Sequence, residues 1–150
     1  MLLKKLAPTN TTTNIYNKTV SNILVTNNWV TEKNISFFKN YDLSPQQYSI
    51  LRVLKARKGI PASLSEVHQH MISRMSNTTR LIDKLVIKEL VTKSVRKDNK
   101  RKIAIRITRE GIRLLNRIDY KLNSLNENMT KNLSSKEIFI LNELLAKLIS

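Results

Sequence analysis

The sequence predicts a mainly α-helical chain that carries one small β-hairpin. Apolar residues recur at helical spacing over most of its length. Three Ser-initiated capping boxes mark helix starts, and residues 101–108 alternate at the period of two that a strand requires. At 150 residues and 41% hydrophobic content, the chain is long enough to fold around a core.

Each element follows in order. Residues 1–14 are rich in Thr and Asn and lack a period, which predicts a frayed tail. Within residues 15–42, Tyr16, Val20, Ile23, Val30, Phe37 and Tyr41 fall close to a 3-4 repeat, with Asn27 and Asn34 in the intervening slots. That spacing predicts one long amphipathic helix. Ser44-Pro45-Gln46-Gln47 then supplies an N-cap, a proline suited to the first helical position and a capping box. Tyr48, Leu51 and Leu54 line the inner face of that helix, which should end before Gly59. A second box, Ser63-Leu64-Ser65-Glu66, opens a short helix through Met71. A polar turn at Ser73-Arg74 leads to a helix of about Met75 to Glu89, with Thr78, Leu81, Ile82 and Leu85 facing inward. Strands are expected at Leu90–Arg96 and Arg101–Thr108, joined by a turn at Lys97-Asp98-Asn99-Lys100. Thr108 can cap a helix running to about Asn128. Ser134-Ser135-Lys136-Glu137 opens the last helix, with Ile138, Leu141, Leu145 and Leu148 on its apolar face.

The composition excludes several classes. There is no cysteine, so disulfides, thiolate metal sites and thiol redox sensing are ruled out. No apolar run reaches 18 residues, and Met1 to Leu6 does not resemble a signal peptide, so a cytoplasmic protein without a membrane partner is expected. With only Gly59 and Gly111, there is no glycine-rich phosphate loop. No carboxylate pair or nucleophile–base spacing stands out, so neither an enzyme nor a cofactor is expected. His68 and His70 stand two apart on a helix and point in different directions, so the pair predicts no metal site.

The charge points elsewhere. The net charge is +16, which favours a polyanionic partner. Residues 88–113 hold ten basic residues against three acidic ones, and Arg96, Lys97, Lys100, Arg101 and Lys102 crowd the hairpin tip. Such crowding costs stability unless a polyanion neutralises it, as a DNA backbone or a narrow minor groove does. On the preceding helix, Asn77, Arg80 and Lys84 share the outward face, flanked by Ser76 and Thr79 and preceded by Arg74. Arg80 has the reach for guanine O6 and N7, and Asn77 has the amide geometry for adenine N6 and N7. A polar helix followed by a basic hairpin therefore predicts a double-stranded DNA reader.

The residues Leu64-Ser65-Glu66-Val67, Ser76-Asn77-Thr78-Thr79-Arg80-Leu81-Ile82-Asp83-Lys84-Leu85, Leu90-Val91, Asp98-Asn99-Lys100-Arg101 and Ile107-Thr108-Arg109-Glu110-Gly111 resemble the MarR family of bacterial transcription regulators. The resemblance spans about residues 20–150. It implies a winged helix-turn-helix lobe at 43–108, with dimerisation helices at 15–42 and 109–150. It also implies a homodimer acting as a repressor. The helix bearing Arg80 would be the recognition helix and residues 97–102 the wing, where Asp98 would orient Arg101. The family usually has Arg where this chain has Lys100, a more strongly hydrated cation less suited to a narrow groove. It usually has Gly where this chain has Glu89, so the recognition helix must end differently or accept strain. Family members often bind a small aromatic or lipophilic effector, for which Trp29, Phe37, Phe38 and Tyr41 are the candidate lining. The alternative class is a basic architectural DNA-binding or anionic-surface protein without sequence choice.

Overall fold

The computed structural model describes residues 14–71, 77–95 and 103–150. The expected N-terminal tail, apart from Asn14, lies outside the described residues, as do Arg74, Ser76 and the hairpin tip with Arg96, Lys97, Asp98, Lys100, Arg101 and Lys102. The elements are α1 (Ile15–Lys39), α2 (Pro45–Ala56), α3 (Leu64–Gln69), α4 (Thr78–Ile87), β1 (Val91–Val95), β2 (Ile103–Ile107), α5 (Arg109–Thr130) and α6 (Ser135–Leu148). The chain divides into two compact units, residues 1–37 and 38–150.

In the first unit α1 is a single helix, as the 3-4 spacing predicts. Asn14 Oδ1 accepts from Tyr16 N–H at 2.9 Å at its start. Ile23, Trp29, Val30, Asn34 and Phe37 are half-buried, while Tyr16 and Val20 are exposed. Tyr41 lies beyond the helix end, in the turn that follows.

The second unit holds the core. All three capping boxes form, at Ser44/Gln47, Ser63/Glu66 and Ser134/Glu137. Each satisfies two N–H donors that a helix start would otherwise leave open. Ile50, Leu51 and Leu54 of α2 meet Val67 of α3, Ile82 and Leu85 of α4, Val91 and Ile105 of the hairpin, and Leu115 and Ile118 of α5 in one buried cluster. β1 and β2 pair antiparallel from Val91↔Ile107 to Val95↔Ile103. A third segment joins them: Ala62 and Ile105 exchange backbone hydrogen bonds of 2.9 and 2.8 Å. The strict alternation expected of β2 holds only in part, because Ala104 and Ile105 are both buried while Ile103 is exposed.

Two joints fix α4 and the hairpin in place. Glu89 adopts φ +58°, the left-handed conformation that glycine usually takes at a helix end. Glu89 N–H donates to Val86 O at 2.9 Å and Leu90 N–H to Leu85 O at 3.0 Å, a Schellman ending that turns α4 directly into β1. At the other end of the hairpin, Gly111 lies so close to Leu90 that a Cβ there would sit 2.4 Å from the Leu90 carbonyl oxygen. Thr108 Oγ1 caps α5 by accepting from Gly111 N–H at 3.0 Å, and donates to Glu89 O at 2.8 Å. On the far side of α2, the buried Tyr48 hydroxyl donates to Asp119 Oδ1 of α5 at 2.8 Å, and Lys55 reaches Asn116 and Asp119. Burial first, and then the hydrogen bond to Asp119, push the Tyr48 phenol above its ordinary range, so it keeps its proton as donor.

Candidate nucleic-acid interface

The candidate interface is built on α4. The described helix begins at Thr78, with Asn77 as its N-cap. Asn77 Oδ1 accepts from Arg80 N–H at 3.2 Å, so the amide oxygen caps the helix while the amide nitrogen stays open to an outside partner. Thr78, Ile82 and Leu85 face inward and are buried, as the helical wheel predicts. The same geometry leaves Asn77, Thr79, Arg80 and Lys84 exposed.

Leu81, expected to face inward, is half-buried at the edge of that surface. With Gln46, Asn77, Arg80 and Lys84 it lines an open cleft of about 350 Å³. Gln46 stands in the first turn of α2, and sequence reasoning counted it only as part of a capping sequence. No periodicity relates it to α4, since the two helices meet through the fold.

The electrostatics sort the cations. Lys88 bonds the carbonyl and carboxylate of Asp42. Lys93 of β1 bonds Asp83 of α4 at 2.6 Å, and Arg113 bonds Glu110 at 3.1 Å. These pairs are partly or wholly exposed, so each contributes at most about 1 kcal/mol. Arg80, Lys84, Arg106 and Arg109 have no ion pair among the described residues. The unpaired charge therefore includes the two cations on the outward face of the helix predicted to read DNA. In a buried setting unpaired cations would be costly; on an exposed face they are free to meet phosphate.

The aromatic candidates separate. Phe38 is 2% exposed and packs on Tyr48 with ring centroids 4.7 Å apart, which makes it core of the second unit. Tyr41 is half-buried in the turn after α1, and Trp29 and Phe37 belong to the first unit. His68 and His70 also part company: Nδ1 of His68 contacts Thr78 Oγ1, and Nδ1 of His70 contacts Glu66 O of its own helix. Among the described residues no group of three or more His, Asp or Glu could hold a metal ion, and no helix is long and apolar enough to cross a membrane.

Residues 43–103 match the model of the MarR family. No curated protein matches the chain. Among solved structures, a MarR-like transcription regulator from Bacillus cereus is 21% identical, with a TM-score of 0.80 over 90% of this chain and 96% of that one. A cysteine-to-serine mutant of MarR from E. coli complexed with operator DNA is 19% identical, with a TM-score of 0.76 over 92% of this chain and 100% of that one. An organohalide-sensing transcriptional regulator bound to 2,4-dichlorophenol is 16% identical, with a TM-score of 0.82 over 99% of this chain and 87% of that one. At these identities the likenesses establish the winged-helix fold.

Proposed function

We propose that the chain, whose residues 43–103 match the model of the MarR family of transcription regulators, is a homodimeric, sequence-specific repressor of that family that reads double-stranded DNA with α4. The observation that carries the reading is the outward face of α4, where Arg80 and Lys84 stand exposed beside Gln46 with no ion pair among the described residues. Arg80 reads a base edge in the major groove, Lys84 and Thr79 meet phosphate, and Asn77 caps the helix and offers its amide nitrogen. Arg74 and Ser76, just before α4 in the sequence, are further candidates for DNA contact. The hairpin tip, with Arg96, Lys97, Asp98, Lys100, Arg101 and Lys102, is the wing and lies along the backbone or minor groove. The operator-bound MarR of the same fold supports this mode.

Dimerisation rests on α6. None of its residues is buried, and Leu141, Leu144, Leu145 and Leu148 are exposed together on a helix that begins with a fully formed cap. A helix this apolar on one side is stable in water only when something covers it. In a family of paired readers, a second copy is the cover; α1 and α5 are the other helices assigned to dimerisation. The protein acts in the cytoplasm, where its DNA is, and has no catalytic role. A small aromatic effector that favours a mismatched spacing of the two readers would release the operator. A regulator of this fold holding 2,4-dichlorophenol supports that element.

The test is binding to the duplex upstream of the protein's own gene, against a scrambled duplex of equal length, at two salt concentrations. We expect a preference of about a hundredfold that survives the higher salt. Arg80→Ala should weaken cognate binding by about 1–3 kcal/mol and leave scrambled DNA nearly unaffected. Equal loss on both duplexes would remove Arg80 from base reading. Equal wild-type affinities that collapse together with salt on every duplex tried would favour the architectural class instead.

A further inference from the structure

The His68-x-His70 sequence resolves into two unrelated contacts. His70 is exposed, and its Nδ1 lies 2.8 Å from the Glu66 carbonyl oxygen. His68 is half-buried, and its Nδ1 lies 2.9 Å from Oγ1 of Thr78, the first residue of α4. Thr78 is 5% exposed, and its hydroxyl donates to Sδ of the buried Met71 at 3.7 Å. The Thr78 hydroxyl meets both the His68 ring nitrogen and the Met71 sulfur. A polar side chain of α3 thus grips the inner side of α4 at its first turn.

We propose that His68 is a positioning residue for DNA reading: through Thr78 it sets the rotation of α4 and hence the place of Arg80. This rests on α4 being the reading helix. Asn77 and Arg80 lie within two residues of Thr78, on the side of the helix that faces outward. Hydrophobic packing of Ile82 and Leu85 holds α4 to the core one and two turns further on, but it is not directional. The His68–Thr78 bond is directional and acts where the first reading residues emerge. A helix rotation of about 15° displaces a side-chain tip roughly 10 Å from the axis by about 2–3 Å, enough to break a bidentate contact.

The chemistry supplies a sharp test. An Asn amide can place a nitrogen near the position of imidazole Nδ1; a Gln amide places it near Nε2. The full-length wild type first selects its preferred duplex from a random library. Affinities for that duplex and a scrambled one are then measured for His68→Asn, His68→Gln, His68→Ala and Thr78→Val, with thermal unfolding recorded for each. We expect His68→Ala, His68→Gln and Thr78→Val each to lower the selected-to-scrambled ratio by about fivefold to tenfold, with scrambled affinity held within about twofold. His68→Asn should keep the ratio within about twofold. The double variant His68→Ala/Thr78→Val should lose no more than Thr78→Val alone, because both break the same His68–Thr78 contact.

A ratio unchanged in His68→Ala, or equal losses in the Asn and Gln variants, overturns the role of His68 while leaving α4 as the reader. Should His68→Ala not fold, the Asn and Gln pair decides alone. A wild type that selects no sequence overturns the reading of α4 itself, and this inference with it.

Discussion

At Gly111 the first turn of α5 passes so near the end of α4 that no side chain fits. A Cβ would meet Leu90 O at 2.4 Å and Ile107 Cγ1 at 2.8 Å, and neither backbone carbonyl nor packed strand can easily give way. Gly111→Ala should therefore destabilise the fold by about 1–3 kcal/mol, seen as a lower denaturation midpoint with unchanged slope. A midpoint equal to wild type would mean that the joint has room the geometry does not show. The sequence marked Thr108 as a cap for the following helix, and Gly111 only as the end of the Ile107-Thr108-Arg109-Glu110-Gly111 stretch that carries the family resemblance. It also marked the strain opposite, at Glu89, where a left-handed φ of +58° is borne by a residue with a Cβ. It could not mark Gln46 beside Arg80, or His68 against Thr78. Those neighbours belong to different helices, and only the packing of the helices brings them together.

Helix starts are the most readable feature at the scale of elements, since a capping box is a four-residue signal with its own hydrogen bonds. All three are where the sequence puts them. The start of α4 was placed at about Met75, whereas the described helix begins at Thr78, because Ser73, Ser76 and Asn77 can all cap and local sequence does not choose among them. The boxes also carry a pH dependence. The Ser63 backbone N–H first, and then its hydroxyl, hold the Glu66 carboxyl below the usual carboxylate range, and Ser134 does the same for Glu137. A carboxyl depressed in the folded state contributes stability above its unfolded pKa of about 4.3 and loses it as pH falls through the folded value. Thermal stability should thus decline as pH is lowered from about 5 to 3, and Glu66→Gln should flatten part of that decline. An identical pH profile in the variant would show that the cap of α3, a helix of only six residues, does not limit acid stability.

For the whole molecule, the decisive question is what covers α6. Leu145→Lys places a charge in the middle of its exposed apolar row. We expect sedimentation to show a shift from dimer to monomer, together with loss of operator binding and retention of helical content. A variant that stays dimeric would move the interface off this face. The amphipathic spacing of α6 was plain in the sequence, with Leu141, Leu145 and Leu148 in their expected slots. The identity of its cover was not, because periodicity reports a face and never its occupant.

With a second copy as that cover, the uncovered helix has a further consequence, in gene dosage. Below the dimer's dissociation constant, the number of paired readers rises with the square of chain concentration, so halving the supply of chains costs about fourfold in operator occupancy. A leucine row on the last helix would then give the promoter a threshold: a modest fall in synthesis would weaken its control out of proportion to the change in protein.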